Sequence, residues 1–247
     1  MNSQSDVRIY PNKTALEDAV AKHFLLASNQ AVQHRGRALI ALSGGSTPLG
    51  LFQLLGSEAY RSSVPWQQIH FFWVDERCVP PQDEESNYGQ FKRKVLDPLQ
   101  IPRQQVHPMN GTLPAKEAAQ KYEKLLSTFT DEDQTLPRFD WVLLGMGTDG
   151  HTASLFPGVH HPAEEQKAVI AVTAEYENRP AGRVTLTPLI LNQARQIVFM
   201  VHGERKAQTL REVLQGERDP LRLPAQRIRP LDGRLVWMLD EAAASQL

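Results

Sequence analysis

The sequence predicts a doubly wound α/β fold, a mostly parallel sheet with helices on both faces. Three observations carry this. Apolar runs such as Ala38–Leu42 and Trp141–Leu144 are too short for helices and suit strands buried on both faces. Such runs alternate with segments of helical periodicity along the whole chain. Several runs pass straight into glycine-rich or charged turns, and strand ends of this kind are where open α/β sheets hold their ligands.

The elements follow in order. Val7 to Tyr10 forms a short strand, and a helix is expected over about Thr14 to Gln33, where Leu16, Val20, Phe24 and Ala27 recur at helical spacing. Strand Ala38–Leu42 enters the turn Ser43-Gly44-Gly45-Ser46-Thr47-Pro48, and the helix Leu49–Leu55 follows, with Pro48 suited to its first position because its missing N–H would be an orphan there. The strand Ile69–Val74 ends at Asp75-Glu76-Arg77. A polar connection from Cys78 to Asn87 then leads to a helix over Tyr88–Val95. Loops of that length in a compact domain are more often functional lids than spacers. Gln105–His107 is a short segment, Ala115–Phe129 a charged helix, and Phe139–Leu144 a strand that opens into Gly145–Pro157. Gly158–Gln166 is a second polar loop, and strands are expected at Ala168–Val172, Arg183–Leu186, Gln196–His202 and Leu235–Leu239, with a helix over Glu204–Leu214. With no repeat or clean linker, residues 1–247 read as one domain with lid-like insertions near 78–90 and 158–168.

Composition narrows the class. The 247 residues can bury a large core, and 41% apolar with 22% charged residues is ordinary for a globular enzyme. No window reaches the roughly 18 uninterrupted apolar residues of a membrane helix, so no membrane partner is expected. A net charge of −1, from 27 basic and 28 acidic residues, argues against nucleic acid. The basic stretch Arg218–Arg229 is interrupted by prolines and reads as a solvated loop. Met1 to Asp6 is polar and lacks a secretory pattern, so a cytoplasmic location is expected, as a monomer or small homo-oligomer. Cys78 is the only cysteine, which excludes an internal disulfide or multi-cysteine metal site; Arg77 beside it could lower its pKa, but it reads as an incidental small residue.

Three turns carry the candidate chemistry. In the first, Gly44 and Gly45 let backbone N–H groups face a ligand while Ser43, Ser46 and Thr47 add hydroxyls, the properties of an anion cradle; a plain tight turn explains the same residues. It is neither a Walker A loop nor a complete dinucleotide fingerprint. In the second and third, Arg77 and Lys206 each follow a strand end and could converge on that cradle to hold a phosphomonoester. For proton transfer the candidates are His151, Asp149, Asp75 and Glu76: a histidine can take a proton from water near neutral pH, and Asp149 can hold the other ring N–H and fix its tautomer. A serine hydrolase is disfavoured because no Gly-x-Ser-x-Gly elbow exists and Ser154 is not on such a turn. Adjacent His160 and His161 point apart and lack a third ligand, so no metal is expected.

Taken together, Leu42–Pro48, Val74–Arg77 with Ser86-Asn87, Gly145–Pro157, Arg183-Val184-Thr185-Leu186-Thr187, and Trp237 with Leu239-Asp240 resemble the 6-phosphogluconolactonase family, in order over about residues 37 to 240. The resemblance implies the fold of the glucosamine-6-phosphate deaminase and ribose-5-phosphate isomerase group, a phosphorylated sugar lactone of the oxidative pentose phosphate pathway as substrate, and no metal or cofactor. It implies His151 as the general base for water, Asp149 as its orienting partner, and a phosphate held by Ser43, Gly44, Gly45, Ser46, Thr47, Arg77, Arg183 and Lys206, with Asp75 also in the substrate site. The deaminases share the glycine turn and the Asp-Gly-His loop but place a glutamate where this chain has Phe156, which favours the lactonase over the deaminase. A non-catalytic sugar-phosphate sensor would keep the same turn, yet no output element is recognisable. Lactonases often carry a proline-rich run before the Arg-Val-Thr-Leu-Thr segment; here it reads Glu177-Asn178-Arg179-Pro180-Ala181-Gly182, which leaves both Arg179 and Arg183 open as the basic ligand.

Overall fold

The computed structural model describes residues 6–131, 134–176 and 179–247. Strand β1 (Asp6–Tyr10) leads into helix α1 (Lys13–Arg35). The Asn12 side chain caps that helix by accepting the Ala15 N–H at 3.0 Å, and Gly36, at φ 71°, ends it by donating to Val32 O. Leu16, Val20, Phe24, Ala27 and Ala31 are the stripe it buries. Then come β2 (Ala38–Leu42), the short helices α2 (Leu49–Leu55) and α3 (Glu58–Arg61), β3 (Ile69–Trp73) and β4 (Asp75–Arg77). Helix α4 (Asn87–Phe91) runs through a π turn into α5 (Asp97–Leu99), followed by β5 (Val106–His107), α6 (Ala115–Ser127) and β6 (Trp141–Leu144). The last third comprises β7 (Val169–Thr173), β8 (Gly182–Leu186), α7 (Pro188–Leu191), β9 (Gln196–Val201), α8 (Ala207–Gln215) and β10 (Arg234–Asp240).

Seven strands form one all-parallel sheet in the order β1-β10-β9-β6-β2-β3-β5. The doubly wound expectation holds. From β2 the chain steps outward to β3 and β5, then returns to β6 on the other side of β2 and proceeds through β9 and β10. The winding therefore reverses between β2 and β6, and the crevice at their carboxyl ends is the ligand position of such sheets. The Ser43 N–H donates to Leu143 O at 3.0 Å and ties the two strand ends together there.

The structure corrects one part of the expected sheet. The strands β7 and β8 do not join it; with β4 they make a separate antiparallel sheet in the order β4-β8-β7. Val74 is the junction: its N–H donates to Leu42 O in the main sheet, while its carbonyl accepts the Leu186 N–H of the small sheet. Residue 74 thus belongs to neither strand, and the expected strand through Val74 stops at Trp73. The small sheet stands over the carboxyl edge of the large one and brings Asp75, Arg77 and Arg183 toward the crevice.

The core lies around the central strands, where β2, β3 and β6 are buried along nearly their full length. Trp73 and Trp141 are among the largest fully buried side chains, and Trp141 packs edge-on against Phe24 of α1 with ring centroids 5.5 Å apart. Aromatic pairs of that geometry add about 0.5–1.5 kcal/mol beyond area burial. No helix among the described residues is long and apolar enough to cross a membrane.

Candidate active site

The crevice is a cleft of about 910 Å³ lined by the turns after β2, β6 and β9 together with β4 and β8. Ser43, Gly44, Gly45, Ser46, Thr47, Asp75, Arg77, His151, Arg183 and Lys206 all line it, so the structure brings the expected residues to one place. Asp149 is not among the lining residues but is hydrogen-bonded to His151, which is.

The loop after β6 is shaped to hold this pair. Asp149 Oδ1 lies 2.6 Å from His151 Nδ1 and also accepts the His151 backbone N–H at 3.1 Å. A carboxylate at that distance keeps the proton on Nδ1 and leaves Nε2 as the acceptor nitrogen. Burial works to raise the Asp149 carboxyl, but the hydrogen bonds and charge of His151 outweigh it and hold the group below the usual carboxylate range. Gly147 is required here, since a Cβ at that position would stand 2.1 Å from His151 Nδ1 and 2.4 Å from Asp149 Oδ1. The loop is closed by Gly147 N–H to His151 O at 2.8 Å and Thr152 Oγ1 to Gly145 O at 2.8 Å. Phe156 stacks on the imidazole at 4.8 Å, and Tyr176 meets it edge-on at 4.8 Å.

On the anion side, Gly45 adopts φ +87°, a left-handed conformation open to glycine, and Gly44 abuts Asn87 so closely that a Cβ would fall 2.2 Å from its Oδ1. The Ser43 hydroxyl is buried without a hydrogen-bond partner among the described residues. Pro48 is the cap residue rather than the first helical one, at φ −86° and ψ 5°, and α2 spans only seven residues. The turn's own donors, not a long helix dipole, are therefore what it offers an anion.

The two arginines of β4 and β8 differ. Arg183 is 3% exposed, yet its Nε and Nη2 have no hydrogen-bond partner among the described residues. Burial lowers its pKa while Asp75 opposes that shift. These two atoms form the side-on edge that grips carboxylates and phosphates in bidentate fashion. Arg77 is largely committed elsewhere: Nη1 donates to Glu85 O and to Asn87 Oδ1, and the Glu85 carboxylate lies 3.6 Å from Arg77 and 3.5 Å from Arg179. Arg77 thereby braces the polar connection at 78–86. Arg179 lines the cleft as well, whereas Glu177 and Asn178 beside it lie outside the described residues.

Glu76, considered for proton transfer, has another place. Its carboxylate accepts the N–H groups of Arg77, Asn87 and Tyr88 and the Ser86 hydroxyl, at 2.7–3.0 Å. It locks the start of α4 to β4, and it does not line the cleft. Burial pushes it up to about 7, against the pull of those four donors. Asp75 does face the cleft, with Oδ2 accepting from Ser154 Oγ at 2.7 Å and Oδ1 from Asn87 Nδ2 at 3.2 Å. Sequence reasoning missed Asn87, which links the glycine turn, Asp75 and Arg77, although its position after Ser86 in the motif was a signal. It also missed His202 and Tyr176, which line the cleft.

Three other sequence features take these places. Burial raises the Cys78 thiol, with Glu76 adding to the effect, so Arg77 does not activate it. Arg227, expected to be solvated, is 9% exposed in its side chain and pairs with buried Glu164 at 3.0 Å. His160 lies 3.6 Å from Glu165, and His161 joins the capping of the turn Pro162–Glu165. No group of three or more metal-ligating side chains occurs among the described residues.

Fold and cleft define the class: a doubly wound α/β protein whose strand-end crevice sets an aspartate-held histidine beside a buried, anion-receptive arginine. Residues 11–237 match the model of the glucosamine-6-phosphate isomerases/6-phosphogluconolactonase family, and the chain belongs to that family. It is 39% identical to a 6-phosphogluconolactonase of Synechocystis, covering 100% of this chain and 99% of that one, and 36% identical to one of Haemophilus influenzae, covering 96% and 98%. Among solved structures, the 6-phosphogluconolactonase from Trypanosoma brucei superposes with a TM-score of 0.86 at 27% identity over 98% of each chain. A monomeric glucosamine-6-phosphate deaminase shares the fold, with a TM-score of 0.82 at 20% identity over 98% of this chain and all of the other.

Proposed function

We propose that this chain hydrolyses 6-phospho-D-glucono-1,5-lactone to 6-phospho-D-gluconate in the oxidative pentose phosphate pathway. The observation that carries the reading is the short Asp149–His151 contact in a cleft that also presents the edge of Arg183 left without a partner among the described residues. Full-length relatives named for this reaction support it.

In the proposed mechanism, His151 Nε2 takes a proton from water as the oxygen bonds to the lactone carbonyl carbon. Asp149 holds the ring and stabilises the imidazolium. The tetrahedral intermediate collapses by breaking the bond to the ring oxygen, and that oxygen leaves with a proton as the C5 hydroxyl. The product is a carboxylic acid that ionises at neutral pH. Arg183, Lys206 and the Ser43–Thr47 turn hold the phosphate. Arg77 contributes through the loop it braces and through its Nε, which has no hydrogen-bond partner among the described residues. No step requires a metal or an organic cofactor.

The shared fold makes a deaminase the rival, and Phe156 against the His151 ring argues against it: ring-opening amine chemistry wants a carboxylate there, and this site provides an apolar face. Offering the phosphorylated lactone and glucosamine-6-phosphate in one panel decides. Acid release from the first beyond spontaneous opening supports the proposal. Ammonia from the second, or binding of both without turnover, overturns it.

A further inference from the structure

Phe156 sits among three groups at the site. Its ring stacks on His151 at a centroid distance of 4.8 Å and an interplanar angle of 30°. Tyr176 lies 5.7 Å from it and meets the same imidazole edge-on, at 75°. The guanidinium carbon of Arg183 is 5.4 Å from the Phe156 centroid. With Ile170 and Val172 of β7, Phe156 forms a small apolar cluster separate from the main core, 9% exposed. The phenyl ring is thus anchored in the antiparallel sheet, while the imidazole it contacts is carried by the loop of the parallel sheet.

From this geometry we infer that Phe156 is a positioning residue for His151: it fixes the plane of the imidazole and keeps it apart from the Arg183 guanidinium. Asp149 leaves one freedom of the ring undetermined. One hydrogen bond to Nδ1 restrains the ring along a line but leaves rotation about that line soft, and Nε2, the atom that must meet water, lies at the far side of the ring. A flat partner stacked against one face, with Tyr176 packed beside both rings, removes that freedom. The contact also has an electrostatic side. When the imidazole is protonated during turnover, it and Arg183 are two cations sharing one crevice, and the electron-rich face of a phenyl ring lies against both. An aliphatic side chain of similar volume fills the space without either effect.

The inference rests on the proposed lactonase reading for its kinetic consequence, though not for its spectroscopic one. Phe156→Leu should lower kcat about tenfold, the scale of losing one aromatic contact and some alignment, with KM changed by less than about threefold. Phe156→Tyr should recover most of that kcat, because it restores the flat face. In the folded protein without substrate, the His151 ring carbon-bound protons should show an upfield ring-current shift in wild type and Phe156→Tyr, and lose it in Phe156→Leu. Thermal melting of each variant checks that the cluster still folds.

Wild-type kcat in Phe156→Leu overturns the inference, as does a loss shared in full by Phe156→Tyr. An unchanged His151 ring shift in Phe156→Leu overturns it as well. A KM that rises in step with the fall in kcat would assign Phe156 to Arg183 and general packing instead, which is also contrary to the proposal. If the wild-type chain fails to open the lactone, the functional reading fails by itself, and the ring-current comparison still decides whether Phe156 positions the imidazole.

Discussion

Replacing Arg183 by methionine should make the unliganded protein more stable and nearly blind to its ligand. Arg183 is 3% exposed, and Nε and Nη2 have no hydrogen-bond partner among the described residues. A buried donor left unpaired costs about 1–3 kcal/mol. Attraction to Asp75 and the Phe156 contact offset part of this, so removing the guanidinium should return roughly 1 kcal/mol, or about 2–4 °C in melting temperature for a domain of this size. Added 6-phosphogluconate at about 100 times its Kd should stabilise wild type by about 2.7 kcal/mol. Loss of a charged bidentate contact weakens binding by about 1.5–3 kcal/mol, roughly 10- to 150-fold. At a 100-fold loss the same ligand concentration stabilises the variant by only about 0.4 kcal/mol. Calorimetric melting with and without the ligand reads both effects. A variant that melts well below wild type without ligand, or that gains as much from ligand, refutes the assignment of Arg183 as an anion receptor.

Other outcomes follow from the same geometry. Gly147→Ala should keep the fold but lower kcat by at least about 10²-fold, because the added methyl displaces the His151–Asp149 pair; kinetics and melting curves separate the two. Arg77→Ala should release the 78–86 connection, seen as faster amide exchange there, since Glu85 O and Asn87 Oδ1 lose the donor that Arg77 Nη1 supplies; unchanged exchange contradicts the bracing role. At the sheet edge, His70 Nδ1 and His107 Nε2 are 3.0 Å apart, and burial together with His70 lowers the His107 pKa to about 4 from the ordinary 6.5. The folded state therefore binds fewer protons than the unfolded chain in that window, and stability should fall as pH drops from about 6.5 toward 4. Denaturation midpoints across that range should flatten in His107→Gln, and an identical slope would contradict the pairing.

Much of this was legible in the sequence because it is locally encoded. Ala38–Leu42 and Trp141–Leu144 are strands because a short apolar run bounded by glycine turns has few other uses, and the turns after them then mark the crevice. The partner of a strand is another matter. Val169–Thr173 and Gly182–Leu186 look the same from sequence whether they extend a parallel sheet or build an antiparallel one, and the other partner of Gly182–Leu186, β4, is a polar triplet whose burial depends on distant groups. Glu76 is buried because Ser86, Asn87 and Tyr88 return to it ten to twelve residues later, a closure that no local pattern records. Motif matching likewise gave Arg77 and Arg183 the same role, whereas their unequal hydrogen bonding separates them. Phe156 distinguishes the chain from deaminases by identity alone, but its place against His151 depends on the small sheet.

On the proposed mechanism, His151, held by Asp149, activates water against a phosphorylated lactone. The most direct measurement is hydrolysis of 6-phosphoglucono-δ-lactone by wild type and His151→Ala, each corrected for spontaneous opening and each confirmed as folded. Rapid opening by wild type is expected, with a kcat about 10²–10⁴-fold lower in the variant. Near-wild-type hydrolysis by His151→Ala would contradict it.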